Sequence, residues 1–471
     1  MVREVADRRV IAPYVREVRR RLESGAHDDA AYQAASRLGL DAPTPHDAAL
    51  IFASKLPPDG VGPETEPAGE VPFISRDPLV SLIQTSLETQ LKRDGLAEET
   101  PPEHPHYGAF GQVWQAIEDF IQGGRVTARG AEMGVEVVEG MLGRFTEGTH
   151  DFNPEPAECA VDGPARLIVV GDWGSGLPQA GAVAQLMAGQ VKKGLDQARH
   201  VHVIHLGDVY FAGEAEEYQG HVLAEGWWPV TWGQAADGVG SWSLAGNHDL
   251  YGGAHAYFTV LLGDPRFRRQ RSADGSATSW FRLMLPSWDV IGLDTSWNDD
   301  PFSLGQTGDL QEPQAPRLAE WTAQADGDGH GGPRKRLVLT HHQLMTAYDN
   351  RLRRVLDQGR VPPLHAKLAP VVDSGAFTAW IWGHEHRCMA FERQALNFPR
   401  CLGHGGQLLA AHDTGTEPPA HVVWEETASF ELAGRRWGSF GFAVLDVDGP
   451  EIKVSYVLEG ATPVVPTETF A

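Results

Sequence analysis

The spacing of apolar residues divides the chain into two regimes. Up to about residue 150, hydrophobic positions recur at helical intervals between Pro/Gly-rich breaks, which predicts a run of helices. Asp77 followed by Pro78 marks a helix start: a capping acceptor, then proline at the first helical position. Leu79, Leu82, Ile83, Leu87 and Leu91 then fall on one helical face, and Val113, Trp114, Ile117, Phe120 and Ile121 form another. Residues 57–72 and 97–106 read as loops. Residues 1–150 are therefore expected to form a helical N-terminal cap or docking domain. No residue set in them carries recognisable chemistry, and the chain shows no internal repeat.

Residues 145–164 read as a linker, with the domain boundary at 151–164. Beyond it the period shortens, and short apolar strands alternate with longer segments, as α/β layers require. The predicted strands are 165–170 (ARLIVV), 200–206 (HVHVIHL), 241–245 (SWSLA), 336–340 (RLVLT) and 377–382 (FTAWIW). Residues 179–199 read as a crossover helix and 314–325 as a short one. Residues 441–460 read as a β-hairpin turning at Asp448-Gly449.

Composition narrows the picture. With 471 residues the chain is long for one core, so two structural regions are expected. A net charge of −24 argues against nucleic acid as a partner, because coating phosphates needs a basic face. It leaves room for a phosphorylated small molecule, since bound cations reverse the field inside one pocket. Three cysteines, Cys159, Cys388 and Cys401, make no disulfide framework and point to a reducing compartment. The charged N-terminal stretch does not read as a secretory signal, and no run is apolar enough to span a membrane. A cytoplasmic location is the expectation, and the oligomeric state is left open.

The chemistry lies at the strand ends. GDWG, GDVY, GNHD, HHQ and GHEH each follow one of the five predicted strands, on the edge where layered α/β folds bind ligands. Asp, Asn and His together form a mixed oxygen and nitrogen set. That set suits Mn, Fe or Zn better than Mg or Ca. The glycines let the strand ends turn sharply and bring the polar residues close together. His202 and His205 lie inside a strand and read as packed residues.

The order GD…GD…GNHD…H…GHxH, over residues 165–410, resembles the signature of the calcineurin-like metallophosphoesterase superfamily. The resemblance implies a four-layer α-β-β-α sandwich over residues 165–471 and a centre of two divalent metal ions. It implies that Asp208 bridges the ions, that Asp172 and His386 complete the first site, and that Asn247, His341 and His384 complete the second. His248 would stand outside the metal shell and contact the phosphate or protonate the leaving oxygen, with Asp249 orienting its ring. His341 and His342 are adjacent and point opposite ways on an extended chain, so only one is expected to bind; the family pattern favours His341. Arg387 reads as a surface charge, and His404, in GHGG, is given no role.

The sequence also departs from the pattern. Most of the superfamily has D-x-H in the first motif, whereas here Gly174 follows Asp172-Trp173. Purple acid phosphatases share D-x-G and compensate with a tyrosine three residues after the bridging aspartate; here that position is Phe211. Either Tyr210 or a water completes the first site, or that site is weak. Without a tyrosine at 211 the iron-loaded protein is expected to be colourless or pale. Ala212 replaces the phosphate-gripping arginine of serine/threonine protein phosphatases, so that activity is not expected.

The expected function is hydrolysis of a phosphomonoester or phosphodiester of a small molecule or nucleotide by metal-activated water. Specificity is expected from loops 211–240, 250–280 and 298–335. Trp227, Trp228 and Trp232 either stack on a base or sugar or pack the domains together. A competing reading is a metal-binding scaffold or pseudoenzyme whose helical domain docks a partner.

Overall fold

A computed structural model describes residues 8–57, 77–93, 138–139, 141–143, 148–297, 308–323, 334–347, 363–372, 374–393, 396–411, 421–432 and 435–471. The helix expected around 113–121 and most of the 298–335 loop lie outside them. The chain divides into two compact units. One comprises residues 1–150 with 210–216 and 251–254; the other comprises 151–209, 217–250 and 255–471.

The first unit contains helices α1 (Arg8–Glu23), α2 (Asp28–Arg37), α3 (Pro45–Lys55) and α4 (Pro78–Arg93). Ile11, Val15, Val18 and Leu22 form the buried stripe of α1. Each such side chain contributes about 1.5–3 kcal/mol by leaving water. The Asp77-Pro78 start is present as read: the Asp77 carboxylate accepts from the amides of Leu79 (3.0 Å) and Val80 (3.1 Å). Leu79, Leu82, Ile83 and Leu87 then face inward.

The second unit is built on strands β1 (Ala157–Ala160), β2 (Ala165–Val170), β3 (His200–His205), β4 (Gly240–Ser243), β5 (Phe281–Met284), β6 (Trp288–Gly292), β7 (Lys335–Thr340) and β8 (Ala379–Trp382). These are followed by β9 (Cys388–Phe391), β10 (Phe398–Leu402), β11 (Val422–Glu425), β12 (Ser429–Leu432), β13 (Arg435–Gly438), β14 (Gly441–Asp448), β15 (Glu451–Leu458) and β16 (Glu468–Phe470). Helices α5 (Pro178–Asp196), α6 (Gln314–Ala323) and α7 (Pro363–Val372) join them. One sheet has the order β16-β15-β14-β2-β3-β4, and the other β1-β5-β6-β7-β8-β10-β9-β11. Strands β2, β3 and β4 are parallel, as are β6, β7, β8 and β10.

Alternation along the strands makes the layers. Leu167, Val169, Ile204 and Trp242 of the first sheet share a core with Phe281, Leu283, Val290, Leu337, Leu339 and Ile381 of the second. The intervening residues Ile291, Val338, Trp380 and Trp382 pack instead with Leu318 and Trp321 of α6 and with Leu364 and Leu368 of α7. Helix α5 packs on β2, β3 and β14. The result is the expected helix–sheet–sheet–helix sandwich.

Two local readings need correction. Part of the presumed linker is β1, which pairs with β5 from Ala157↔Phe281 onward. The hairpin forms, but its two loop residues are Gly449 and Pro450, because Asp448 pairs with Glu451. Among the described residues no helix is long and apolar enough to cross a membrane. All three cysteines are free.

Candidate metal centre

The parallel strands deliver the five motifs to one edge. Asp172 follows β2, Asp208 follows β3, Asn247 opens a short helix (Asn247–Tyr251) after β4, His341 follows β7, and His384 and His386 follow β8. All are buried, with at most 6% of their surface exposed. Asp172 (φ 56°), Asp208 (72°), His384 (66°) and His386 (52°) adopt left-handed backbone, a conformation costing about 1–3 kcal/mol each for such residues. Four strained residues at one centre mean that the surrounding structure holds them there. Two glycines permit the approach. A Cβ on Gly246 would lie 2.1 Å from Asp208 Oδ1, and one on Gly383 would lie 2.6 Å from Asp172 Oδ2.

Two groups of ligand-type atoms result, each with its atoms within 4.8 Å of one another: Asp172, Asp208 and His386, and His341, His342 and His384. His386 Nε2 is 3.4 Å from Asp172 Oδ1. His341 Nε2 faces Asn247 Oδ1 at 3.0 Å and His384 Nδ1 at 3.2 Å. Its other nitrogen, Nδ1, is 3.1 Å from the Leu206 carbonyl, so that its N–H donates there and Nε2 keeps its lone pair. Asp208 Oδ1 stands 3.4 Å from His341 Nε2, so this carboxylate reaches both groups.

The electrostatics match a cation. Burial pushes the Asp208 carboxyl above its ordinary range; His248 opposes this and Asp172 adds to it. Burial also pushes His341 down to about 3, so its ring is neutral. Two crowded carboxylates among imidazoles are a donor set that divalent ions would satisfy.

His248 lies beside this set. Its backbone amide donates to Asp208 Oδ1 (3.0 Å), and its Nε2 is 4.0 Å from Asp208 Oδ2. Asp249, to which the resemblance gives the task of orienting that ring, anchors the neighbouring backbone. Its carboxylate accepts from the amides of Gly246 (2.7 Å), Asp208 (2.9 Å) and Val209 (3.2 Å) and from the Tyr218 hydroxyl (2.5 Å). It is the tie between two ligand loops. Burial, then the neighbouring Asp208 charge, raises its carboxyl to about 7.

The missing histidine of the first motif has a packing reason. Gly174 bridges to Val209, and a Cβ there would lie 2.8 Å from Val209 Cγ2. Tyr210 is fully buried and belongs to the first compact unit. His342 joins the imidazole group although only one of the adjacent histidines was expected to reach it. Strand β7 ends at Thr340, so extended-chain alternation no longer applies. His202 accepts from Trp242 Nε1 (3.1 Å) within the strand layer, as read. Trp228 is core, donating to Ser241 Oγ, whereas Trp232 is 67% exposed.

A cleft opens beside His386, lined in part by Arg387, His404, Gln407, Glu425 and Ser439. These residues come from the segment after GHEH and not from the loops expected to confer specificity. Arg387 is no surface charge: it donates to Glu425 at 2.6 Å with 14% of its side chain exposed. Motif spacing gave no hint of Ser439 or Glu425.

The calcineurin-like phosphoesterase family model matches residues 165–388. Three solved structures are similar at low identity. GAP50, the anchor in the inner membrane complex of Plasmodium, is 12% identical (TM-score 0.44; 65% of this chain and 89% of that one). Purple acid phosphatase PPD1 from yellow lupin (Lupinus luteus) seeds is 14% identical (0.44; 65% and 54%). A dimetal phosphatase from Danio rerio is 16% identical (0.40; 66% and 100%). No curated protein matches the chain.

Proposed function

We propose that the chain is a dinuclear metal-dependent hydrolase of phosphomonoesters or phosphodiesters of small molecules or nucleotides. The observation that carries this reading is the reach of Asp208 into both ligand groups, one rich in carboxylate and the other in imidazole. Asp172, Asp208 and His386 would hold one ion. Asn247, His341 and His384 would hold the other, with Tyr210 or a water filling the first site where Gly174 leaves it short. Divalent ions so bound supply Lewis acidity to phosphoryl oxygens and lower the pKa of water.

The chain's own residues do the rest. His248, outside both groups, gives a proton to the leaving oxygen. Asp249 holds the loops of Asp208 and Asn247 in register, which keeps the donors preorganised. The cleft beside His386 receives the remainder of the substrate, and the Arg387–Glu425 pair in its wall leaves little net positive charge to attract a polyanion.

The test is turnover of phenyl phosphate and bis-p-nitrophenyl phosphate by Mn-, Fe- and Zn-loaded protein, with metals counted per chain. About two metals and turnover are expected. His248→Ala should lose turnover by about 10²–10⁴-fold and keep its metals. Wild-type metal binding with no turnover on either ester would instead favour the scaffold reading.

A further inference from the structure

We propose that His342 is a third imidazole ligand at the second metal position, and that it biases this position toward an imidazole-preferring ion such as Zn²⁺ over Mn²⁺. The proposal rests on the metal-centre reading above and adds a residue that the family pattern does not assign.

The three rings form one packed set. The centroids of His341 and His342 are 5.0 Å apart at 88°, those of His341 and His384 5.1 Å apart at 76°, and those of His342 and His384 4.8 Å apart at 40°. One nitrogen from each lies within 4.8 Å of the others, as a shared ion requires. His341 and His342 are completely buried, so neither ring is a chance surface neighbour.

His342 is also held as a ligand would be. Its Nδ1 lies 3.0 Å from Thr295 Oγ1, and its backbone amide donates to the same oxygen at 3.1 Å. A hydroxyl oxygen accepts two such bonds. With the ring proton on Nδ1, Nε2 carries the lone pair, the arrangement seen when an outer partner fixes a ligating histidine. Thr340 Oγ1 donates to the His342 carbonyl at 2.9 Å and fixes the backbone. Gly308 closes the other side; a Cβ there would lie 2.7 Å from His342 Cβ and Cγ.

The consequence is chemical asymmetry. Asp172, Asp208 and His386 offer two carboxylates and one imidazole, whereas His341, His342 and His384 offer three imidazoles. Imidazole favours Zn over Mn, and carboxylate narrows that difference.

The experiment uses the full chain, dialysed against equimolar Zn²⁺ and Mn²⁺, with both metals counted by atomic emission. Visible spectra of the Co²⁺ form follow the ligand field. His342→Asn keeps an amide able to meet Thr295 but removes the atom at the Nε2 position. It should bind the second Zn²⁺ at least tenfold more weakly, shift the Co²⁺ spectrum and retain the ion of the first group. His342→Gln, which restores a donor near Nε2, should recover part of the loss; it also serves if the Asn variant lacks a cooperative melt. Zn²⁺ affinity within threefold of wild type in the Asn variant, with an unchanged Co²⁺ spectrum, would overturn the proposal. Wild-type protein that binds metals but hydrolyses no ester would sink the proposed function and leave this assignment standing. Wild-type protein that binds no metal would sink both.

Discussion

Gly246→Ala tests whether the centre depends on close backbone approach, because it deletes no ligand. The added Cβ would lie 2.1 Å from Asp208 Oδ1 and 2.6 Å from the Asp208 amide nitrogen. A carbon and an oxygen tolerate about 3.3 Å, so the carboxylate must retreat by about 1.2 Å. That retreat breaks its bond from the His248 amide, now 3.0 Å, and moves it away from His341 Nε2, now 3.4 Å. Overpacking costs about 1–3 kcal/mol and the lost charged hydrogen bond about 1.5–3 kcal/mol, so stability should fall by about 2.5–6 kcal/mol. Ligand positions tolerate only about 0.2 Å, so metal affinity should fall at least about 10–100-fold. Denaturant melts and metal counts after dialysis read the two effects. Gly189→Ala is the control: it lies in α5 with nothing within 4 Å of its added Cβ, and it should gain up to about 1 kcal/mol. A Gly246→Ala protein with wild-type metal content and stability would show that Asp208 is not held where the geometry puts it.

Asp249→Asn, measured at pH 8 where the carboxylate is ionised, should lose about 3 kcal/mol of stability and lower metal content together, because an amide cannot accept all four bonds. If only kcat fell, with stability and metals intact, Asp249 would be acting on His248 after all. Arg166 is buried against Asp446 through two 2.8 Å bonds, so Arg166→Ala should cost about 2–3 kcal/mol, the low end for a buried pair because Asp446 is partly exposed. A denaturant midpoint unchanged from wild type would refute that. Chelation should remove about 4 kcal/mol from the metal-binding unit relative to protein in a thousandfold excess of metal over Kd, read as a lower melting temperature that restored Zn²⁺ or Mn²⁺ reverses. An identical melt with and without chelator would speak against a folded-state metal site.

Strands buried on both faces were legible because they read as unbroken apolar runs: 165–170 became β2 with the same ends, and 336–340 became most of β7. The ligand edge followed from them, since each motif sits where a run stops. Strands that carry charge were not legible. FPRCL (398–402) is a fully buried strand, but Pro399 and Arg400 disguise it; Arg400 is tolerated there because Glu468 neutralises it at 2.5 and 3.0 Å. Strand β1 has only four residues at a sheet edge, too few to show a period. At the centre, motif order indicated which residues assemble but not what each one does. The bonds of Asp249 depend on how two loops meet, and the reach of His342 depends on where β7 stops.

The ligands also have two origins. Asp172, Asp208 and Asn247 hang from the six-stranded sheet, whereas His341, His342, His384 and His386 hang from the eight-stranded one; the first group draws on both, and Asn247 joins the second from across the layers. A bound ion would therefore add a cross-link between layers joined mainly by apolar side-chain packing. Such packing resists separation well but resists sliding poorly. Two ions at one rim would pin the layers against shear at that rim.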